Sequence, residues 1–355
     1  MKNYVTQFLS LLFRTIIFWT LAFCIFVFIR YYAIGAEEGL IVTDYHISDI
    51  LRYVSPLGLL IGILFAIVEF IFDKFLSKNL SLALVLIEKF VIYFIGIILS
   101  LNYVFPLVEN ELNLNLTTEE GWWQTSQIFW IIVGYFLICS IVFSFVKIAN
   151  DKFGKGVFFN LLLGKYRKPR EEKRIFMFLD LQASTTIAEK LGHYNYSELI
   201  QDCFYDLNRI VTKYDAEIYQ YVGDEAVLSW TYKRGIKNNN CVKLFFHFQD
   251  RIKKREKYYL KKYNLVPVFK AGIHGGKLIV TEVGTVKKEI AYHGDVINTS
   301  ARIQGECNKY KELLLSSNIL INDLSLSSKY KTEFIGKIEL KGKEEKLDIS
   351  AIRVS

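Results

Sequence analysis

Cysteine is scarce in this chain. Its 355 residues hold five, at Cys24, Cys139, Cys203, Cys241 and Cys307, with no Cys-x-x-Cys pair and no spacing suited to zinc. A disulfide framework and a zinc module are thereby excluded, and the odd, scattered count fits a reduced cytosolic compartment. A phosphate-binding loop is also missing, because Gly154 and Gly156 lack the Lys-Ser/Thr ending that such a loop needs. Charge is sparse before about Ile148 and frequent after it, so the net charge of +8 is unevenly spread. Basic chains often bind nucleic acid, but a cytoplasmic membrane face recruits Lys and Arg for a different reason. No nucleic-acid partner is expected. Nor is there room for an extracellular domain, which leaves the apolar stretches and two short loops as the only places for sensing.

What is abundant is apolar sequence. Four stretches, near 8–31, 55–75, 80–105 and 128–149, are long enough to cross a bilayer, which takes about 20 residues each. The first is too long, and followed by too many like it, to be a cleaved signal peptide. Lys2 precedes the first stretch, and Lys74 and Lys78 fill the second connection. The first connection instead holds Glu37, Glu38, Asp44 and Asp49, and the third holds Glu109, Glu111, Glu119 and Glu120. This alternation predicts a multi-pass inner (plasma) membrane protein with both termini cytoplasmic and Trp122 and Trp123 at the outer interface. Arg14, Glu69 and Glu88 are ionisable within the spans and are expected to snorkel or pair between helices.

Three regions follow: a four-helix transmembrane domain over 1–149, a basic juxtamembrane connector over 150–173, and a soluble domain over 174–355. The connector interleaves Lys152, Lys155, Lys165, Arg167, Lys168, Arg170 and Lys173 with the apolar run 157–163, the pattern of an amphipathic helix on lipid. In the soluble domain strands are expected at 174–181, 217–222, 226–230, 266–274, 278–283, 334–340 and 347–353. Helices are expected from a Ser184 or Thr185 cap to Leu191, over 196–214, over 242–260, and from about Asp295. Gly275-Gly276 should split the fourth and fifth strands into a pair. The pattern is α+β on a mainly antiparallel sheet.

Three phrases carry chemistry. Phe178-Leu179-Asp180 with Ser184-Thr185, and Gly223-Asp224-Glu225, each put a carboxylate where a strand gives way to a turn. Gly294-Asp295 leads to Asn298 and Arg302, four apart and so on one helix face. Two carboxylates for divalent metal, a polar donor and a guanidinium are the parts of a nucleoside-triphosphate site. Either aspartate alone is more often only a turn residue. Gly223 favours the functional reading, since glycine lets a phosphate approach closely.

In this order, followed by Leu340-Lys341-Gly342, the phrases resemble the class III nucleotidyl cyclases, the adenylate and guanylate cyclase catalytic domain, over essentially all of 174–353. The resemblance implies a ferredoxin-like α+β fold. It also implies that Asp180 and Asp224 hold two Mg2+ or Mn2+ ions, which activate the ribose 3′-hydroxyl and clamp the triphosphate. Arg302 then matches the arginine on the α-phosphate, Asn298 the residue orienting the ribose, and Lys341 a triphosphate contact. Since family sites form between two domains, one domain per chain implies a homodimer with shared sites.

The base-reading positions depart from the family. A lysine is usual four residues before the second metal aspartate, where this chain has Gln220. An aspartate or threonine is usual seven before the asparagine, where it has Ala291. Glutamine both donates and accepts, and alanine does neither. ATP is expected as substrate because adenylate cyclase activity is the commonest in the family. The alternatives are another nucleoside triphosphate, a diguanylate cyclase reading of Gly223-Asp224-Glu225 that leaves Asn298 and Arg302 idle, and a non-catalytic nucleotide-binding dimerisation module.

Overall fold

The structure is a computed structural model that describes residues 2–33, 47–72, 81–112, 124, 127–153, 157–286, 288–339 and 346–355. The chain divides into two compact units, Met1–Ile148 and Ala149–Ser355. Trp122, Trp123, Gly154, Gly156 and the Leu340-Lys341-Gly342 phrase lie outside the described residues.

The first unit contains helices α1 (Lys2–Ala33), α2 (Ile47–Ile71), α3 (Leu82–Leu112) and most of α4 (Gln127–Phe153). Three are long and apolar enough to cross a membrane, over Phe8–Ile29, Leu84–Tyr103 and Phe129–Asn150, whereas the apolar part of α2 is the shorter Pro56–Ile71. Of the four expected spans, 55–75 is thus matched only by this shorter apolar stretch, and its residues 73–75 lie outside the described residues. Gly58 and Gly62 form a Gly-x-x-x-Gly face against α1. A methyl at either would come within 2.7 Å of a Cα atom, of Thr20 or Ile16 respectively. Small residues at this spacing let two apolar helices touch backbone to backbone, a packing that dispersion would hold in a bilayer.

Glu69 is fully buried in this unit. It accepts hydrogen bonds from Lys89 Nζ at 2.8 Å and Tyr93 Oη at 2.7 Å, and also pairs with Lys147. One carboxylate thus joins α2, α3 and α4, and the expectation of pairing between helices holds for Glu69. Arg14 instead turns back onto its own helix, donating to the Ser10 carbonyl at 3.1 Å.

The second unit begins with the end of α4 and a six-residue helix α5 (Val157–Leu162), and is built on an eight-stranded mixed sheet. Its strands are β1 (Arg170–Leu181), β2 (Glu217–Val222), β3 (Glu225–Thr231), β4 (Phe269–Val283), β5 (Glu289–His293), β6 (Leu314–Ser317), β7 (Tyr330–Glu339) and β8 (Lys346–Val354). The order is β2-β3-β1-β4-β6-β8-β7, with β5 on β4. The β4–β6 pairing is parallel, and the other pairings are antiparallel.

Alternation along β1 sends Ile175, Met177 and Leu179 into the main core and Phe176 and Phe178 into a separate cluster on the opposite face. The main core is covered by α6 (Ser184–Val211), α7 (Tyr232–Ile236), α8 (Asn240–Lys254) and α9 (Glu256–Tyr263). A buried carboxylate must be paired or it costs several kcal/mol. Asp206 of α6, fully buried, accepts from Arg251 Nε at 2.8 Å, Arg255 Nη1 at 2.5 Å and Tyr259 Oη at 2.7 Å, which ties α8 and α9 to α6. The opposite face carries α10 (Asp295–Tyr310), and α11 (Asn318–Asp323) follows β6.

Several elements differ from expectation. The first strand starts at Arg170, not 174, because β1 pairs with β4 from Arg170 opposite Val280 through to Leu181 opposite Phe269. Gly275 and Gly276 do not split a strand pair, since β4 is one strand of 15 residues. A side chain at Gly275 would meet Tyr232 at 2.7 Å and Ile175 at 2.9 Å, so the glycine serves packing rather than turning. The expected helices at 184–191 and 196–214 are one element kinked at Gly192, followed by a short 3-10 turn, Thr212–Tyr214. Ala183, in a left-handed conformation, occupies the N-cap without any side-chain capping bond, so neither Ser184 nor Thr185 caps the helix. The 242–260 helix is two helices broken at Arg255, a break that turns Arg255 and Tyr259 onto Asp206.

The seat of α10 on β4 is the contact that positions the site. A methyl at Gly272 would clash with the Gln304 backbone nitrogen and lie 2.6 Å from Gln304 Cα and 2.7 Å from the Ser300 carbonyl oxygen. Overpacking at such a point costs about 1–3 kcal/mol. Gly272→Ala is therefore expected to lower the melting temperature of the second unit by several degrees. Thermal unfolding of the detergent-solubilised chain checks this, and an unchanged transition would contradict the packing described.

Candidate functional site

Asp180 ends β1, where the register sets it opposite Glu225 on β3 and Lys270 on β4. Directly opposed residues of antiparallel strands share a face, so the three side chains stand in a row. Asp224 precedes Glu225 in the β2–β3 turn, which Gly223 makes possible with φ of 61°. The structure thus brings the two sequence-predicted carboxylates to one end of the sheet.

Asp180 Oδ2 accepts from Gln304 Nε2 at 2.8 Å and pairs with Lys270 Nζ at 3.2 Å. Lys270 Nζ also donates to Asn308 Oδ1 at 3.1 Å. Asp224 Oδ2 is buried and, among the described residues, has no hydrogen-bond partner. Burial raises the Asp180 pKa despite Lys270 and Gln304, and the Asp224 charge raises it further. Glu225 is pushed up to about 7, first by burial and then by Asp180 and Asp224, with Lys270 opposing.

Such crowding of negative charge, with one carboxylate oxygen orphaned, fits a divalent cation bound by hard oxygen donors. Asp180 and Asp224 are the residues that would hold it. Among the described residues no group of three His, Cys, Asp or Glu side chains forms a cage. Any ion there takes its remaining oxygens from backbone, water or substrate, as magnesium habitually does.

Asn298 and Arg302 both lie on α10, Asn298 exposed and Arg302 half-buried. Neither side chain has a hydrogen-bond or ion-pair partner among the described residues. They do not face the carboxylates of their own chain. At 3.6 residues per turn, Gln304 lies about 200° around the helix from Arg302, and Gln304 is the side that touches Asp180.

Gln220 is exposed on β2 opposite Val227, at the edge of a register shift after Ile218, and Ala291 sits on β5 opposite Thr281. The strands that carry them meet over Phe176. Their neighbours Tyr219 and Tyr292 stand edge to face at 4.9 Å between ring centroids, and Tyr292 lies 5.2 Å from Phe176. Lys341 is outside the described residues.

Three functional neighbours escaped sequence reasoning. Lys270 had a signal, a lone cation inside an otherwise apolar strand. Glu225 was visible beside Asp224, but its burial was not. Gln304 had none, because its contact with Asp180 bridges 124 positions of sequence.

Residues 167–350 match the family described as "Adenylate and Guanylate cyclase catalytic domain". The chain is 34% identical over 221 residues to adenylate cyclase 2 of Rhizobium meliloti (strain 1021), covering 62% of this chain and 61% of that protein. It is 23% identical over 167 residues to retinal guanylyl cyclase 2 of Homo sapiens, covering 47% of this chain and 15% of the relative. The chain thus spans less than two thirds of the length of either relative. In fold, it is similar to the solved structure of a bacterial light-regulated adenylyl cyclase, with a TM-score of 0.51 at 17% identity over 61% of this chain and 64% of that one.

The raised Glu225 pKa has a stability consequence. Between the ordinary glutamate pKa and about 7 the folded state holds the proton that the unfolded state has lost, so stability falls as pH rises through that window. With divalent metal chelated, Glu225→Gln should lose less stability than the parent between pH 5 and 7.5. The expected difference is about 1 kcal/mol after discounting for solvent around a half-exposed group. Denaturant unfolding at both pH values reads it, and equal losses would refute the assignment.

Proposed function

The chain belongs to the adenylate and guanylate cyclase catalytic domain family, and on that premise we propose that it is a membrane-anchored adenylate cyclase converting ATP to 3′,5′-cyclic AMP and pyrophosphate. The observation that carries the reading is the convergence of Asp180 and Asp224, one with an orphaned buried oxygen, at the sheet end beside Lys270. The similarity to an adenylate cyclase at 34% identity favours ATP.

In the reaction the ribose 3′-hydroxyl gives up its proton to solvent as its oxygen bonds to the α-phosphorus, and the bond from that phosphorus to the bridging oxygen breaks to release pyrophosphate. Asp180 and Asp224 would hold two magnesium or manganese ions, whose chemistry when bound is to polarise the 3′-hydroxyl and neutralise the triphosphate. Arg302 places a guanidinium against charge gathering on the α-phosphate, and Asn298 orients the ribose. Lys341 reaches the triphosphate. Gln220 offers an amide that donates to and accepts from the base, while Ala291 leaves the other side of the base without a side-chain hydrogen bond.

A homodimer with shared sites accounts for α10. Its Asn298–Arg302 face points away from the chain's own carboxylates, so a second copy supplies these groups to each site. The apolar helices anchor the dimer in the inner (plasma) membrane as a four-span domain over 1–149, with both termini and the catalytic domain over 174–355 on the cytoplasmic side. The basic connector over 150–173 lies against lipid headgroups.

Two experiments test the reading. The full-length chain in nanodiscs, given ATP, GTP, CTP or UTP with manganese, should form cyclic AMP fastest. No cyclic nucleotide from any of the four, in a sample shown to be dimeric, would end the proposal. Asp180→Ala and Arg302→Ala should each lower activity by at least about 100-fold. A purified heterodimer of the two should recover about half of wild-type activity, since one of its two sites is whole. A heterodimer as inactive as its parents would rule out the shared site.

A further inference from the structure

The α10 helix has two working faces that address two different sites. On its inner face Gln304, 8% exposed, donates Nε2 to Asp180 Oδ2 at 2.8 Å. About 200° around the helix Arg302, and about one further turn back on the same side Asn298, have no partners among the described residues. Between these faces the helix has little freedom. Gly272 of β4 admits no methyl beneath Ser300 and Gln304, and Cys307 Sγ contacts the Ala271 carbonyl oxygen at 3.4 Å. Ile303 and Cys307 are buried, and Asn308 accepts from Lys270. A rigid helix moves as a body, so a shift at Arg302 arrives at Gln304.

We propose that Gln304 is a positioning residue that orients Asp180 for metal, and that through it α10 couples the two sites of the dimer. The inference rests on the shared-site cyclase reading above. Chemically, the amide N–H and the Lys270 ammonium both take Oδ2, which fixes the carboxylate plane and leaves Oδ1 as the oxygen for a cation. Lys270 adds charge compensation and, held by Asn308 of α10, forms a second link from that helix to Asp180. In the dimer, Arg302 and Asn298 of one chain grip nucleotide in the site whose aspartates belong to the partner. Gln304 on the same helix holds the aspartate of the other site. Occupancy of one site therefore changes how well the other holds its ions.

The test uses the full-length dimer in detergent, with manganese binding read by electron paramagnetic resonance in the absence of nucleotide. Gln304→Met, similar in length but unable to donate, should bind manganese about 10-fold more weakly than wild type, as is typical when a carboxylate loses its outer partner. Gln304→Ala serves if the methionine variant does not fold. Melting curves in chelator identify variants that retain the fold. A nucleotide-binding isotherm with a non-cyclisable ATP analogue and manganese then reads coupling. Its Hill coefficient should depart from 1 in wild type and return to 1 in the variant.

Unchanged manganese affinity in a folded Gln304 variant overturns the positioning role, and a wild-type coefficient of 1 overturns the coupling. Wild-type manganese binding that Asp180→Ala does not abolish would instead refute the cyclase site itself, so the two failures are distinguishable.

Discussion

The close seat of α10 on β4 at Gly272 is the contact on which the site of the second unit depends. Because no side chain intervenes, the Ser300–Gln304 backbone rests on the strand, and the Gln304 amide reaches Asp180 across the sheet. The same seat fixes where Asn298 and Arg302 point. A larger residue at position 272 would lift the helix and separate these groups. One glycine thus links packing to the geometry of both faces of α10.

Electrostatics pulls the other way. Asp180, Asp224 and Glu225 crowd one sheet end, and burial with mutual repulsion raises the pKa of Asp180 and Glu225. Lys270 and Gln304 offset only part of this. The fold therefore crowds charge at this point that a divalent cation would relieve, an arrangement expected where binding matters more than stability. The contrast with Asp206 is instructive, since that carboxylate is fully buried yet satisfied by two arginines and a tyrosine.

The first unit solves a related problem with different means. Glu69 draws Lys89, Lys147 and Tyr93 from two other helices, while Gly58 and Gly62 let α1 and α2 touch. The glycine spacing was open to sequence reasoning, because Gly-x-x-x-Gly in an apolar helix has a known physical use. The ionic partners of Glu69 were not, as they lie 20 and 78 residues away.

Legibility in the sequence followed the range of the interactions. Local signals held: the β2–β3 turn at Gly223-Asp224, the start of α10 near Asp295, and the strand leading to Asp180 were all readable. Misreadings arose where a residue type has two uses. Gly275 and Gly276 read as a break but serve close packing within β4, and Ser184 read as a cap but lies inside the helix. By itself the sequence determined the chemical kit: two carboxylates, an asparagine and an arginine in a fixed order, behind long apolar stretches. Only the tertiary structure decided that Lys270 and Gln304 hold Asp180 and that Asn298 and Arg302 face away from it. Identity and spacing along the chain are local properties, whereas register across a sheet and the face a helix buries arise only when distant segments pack.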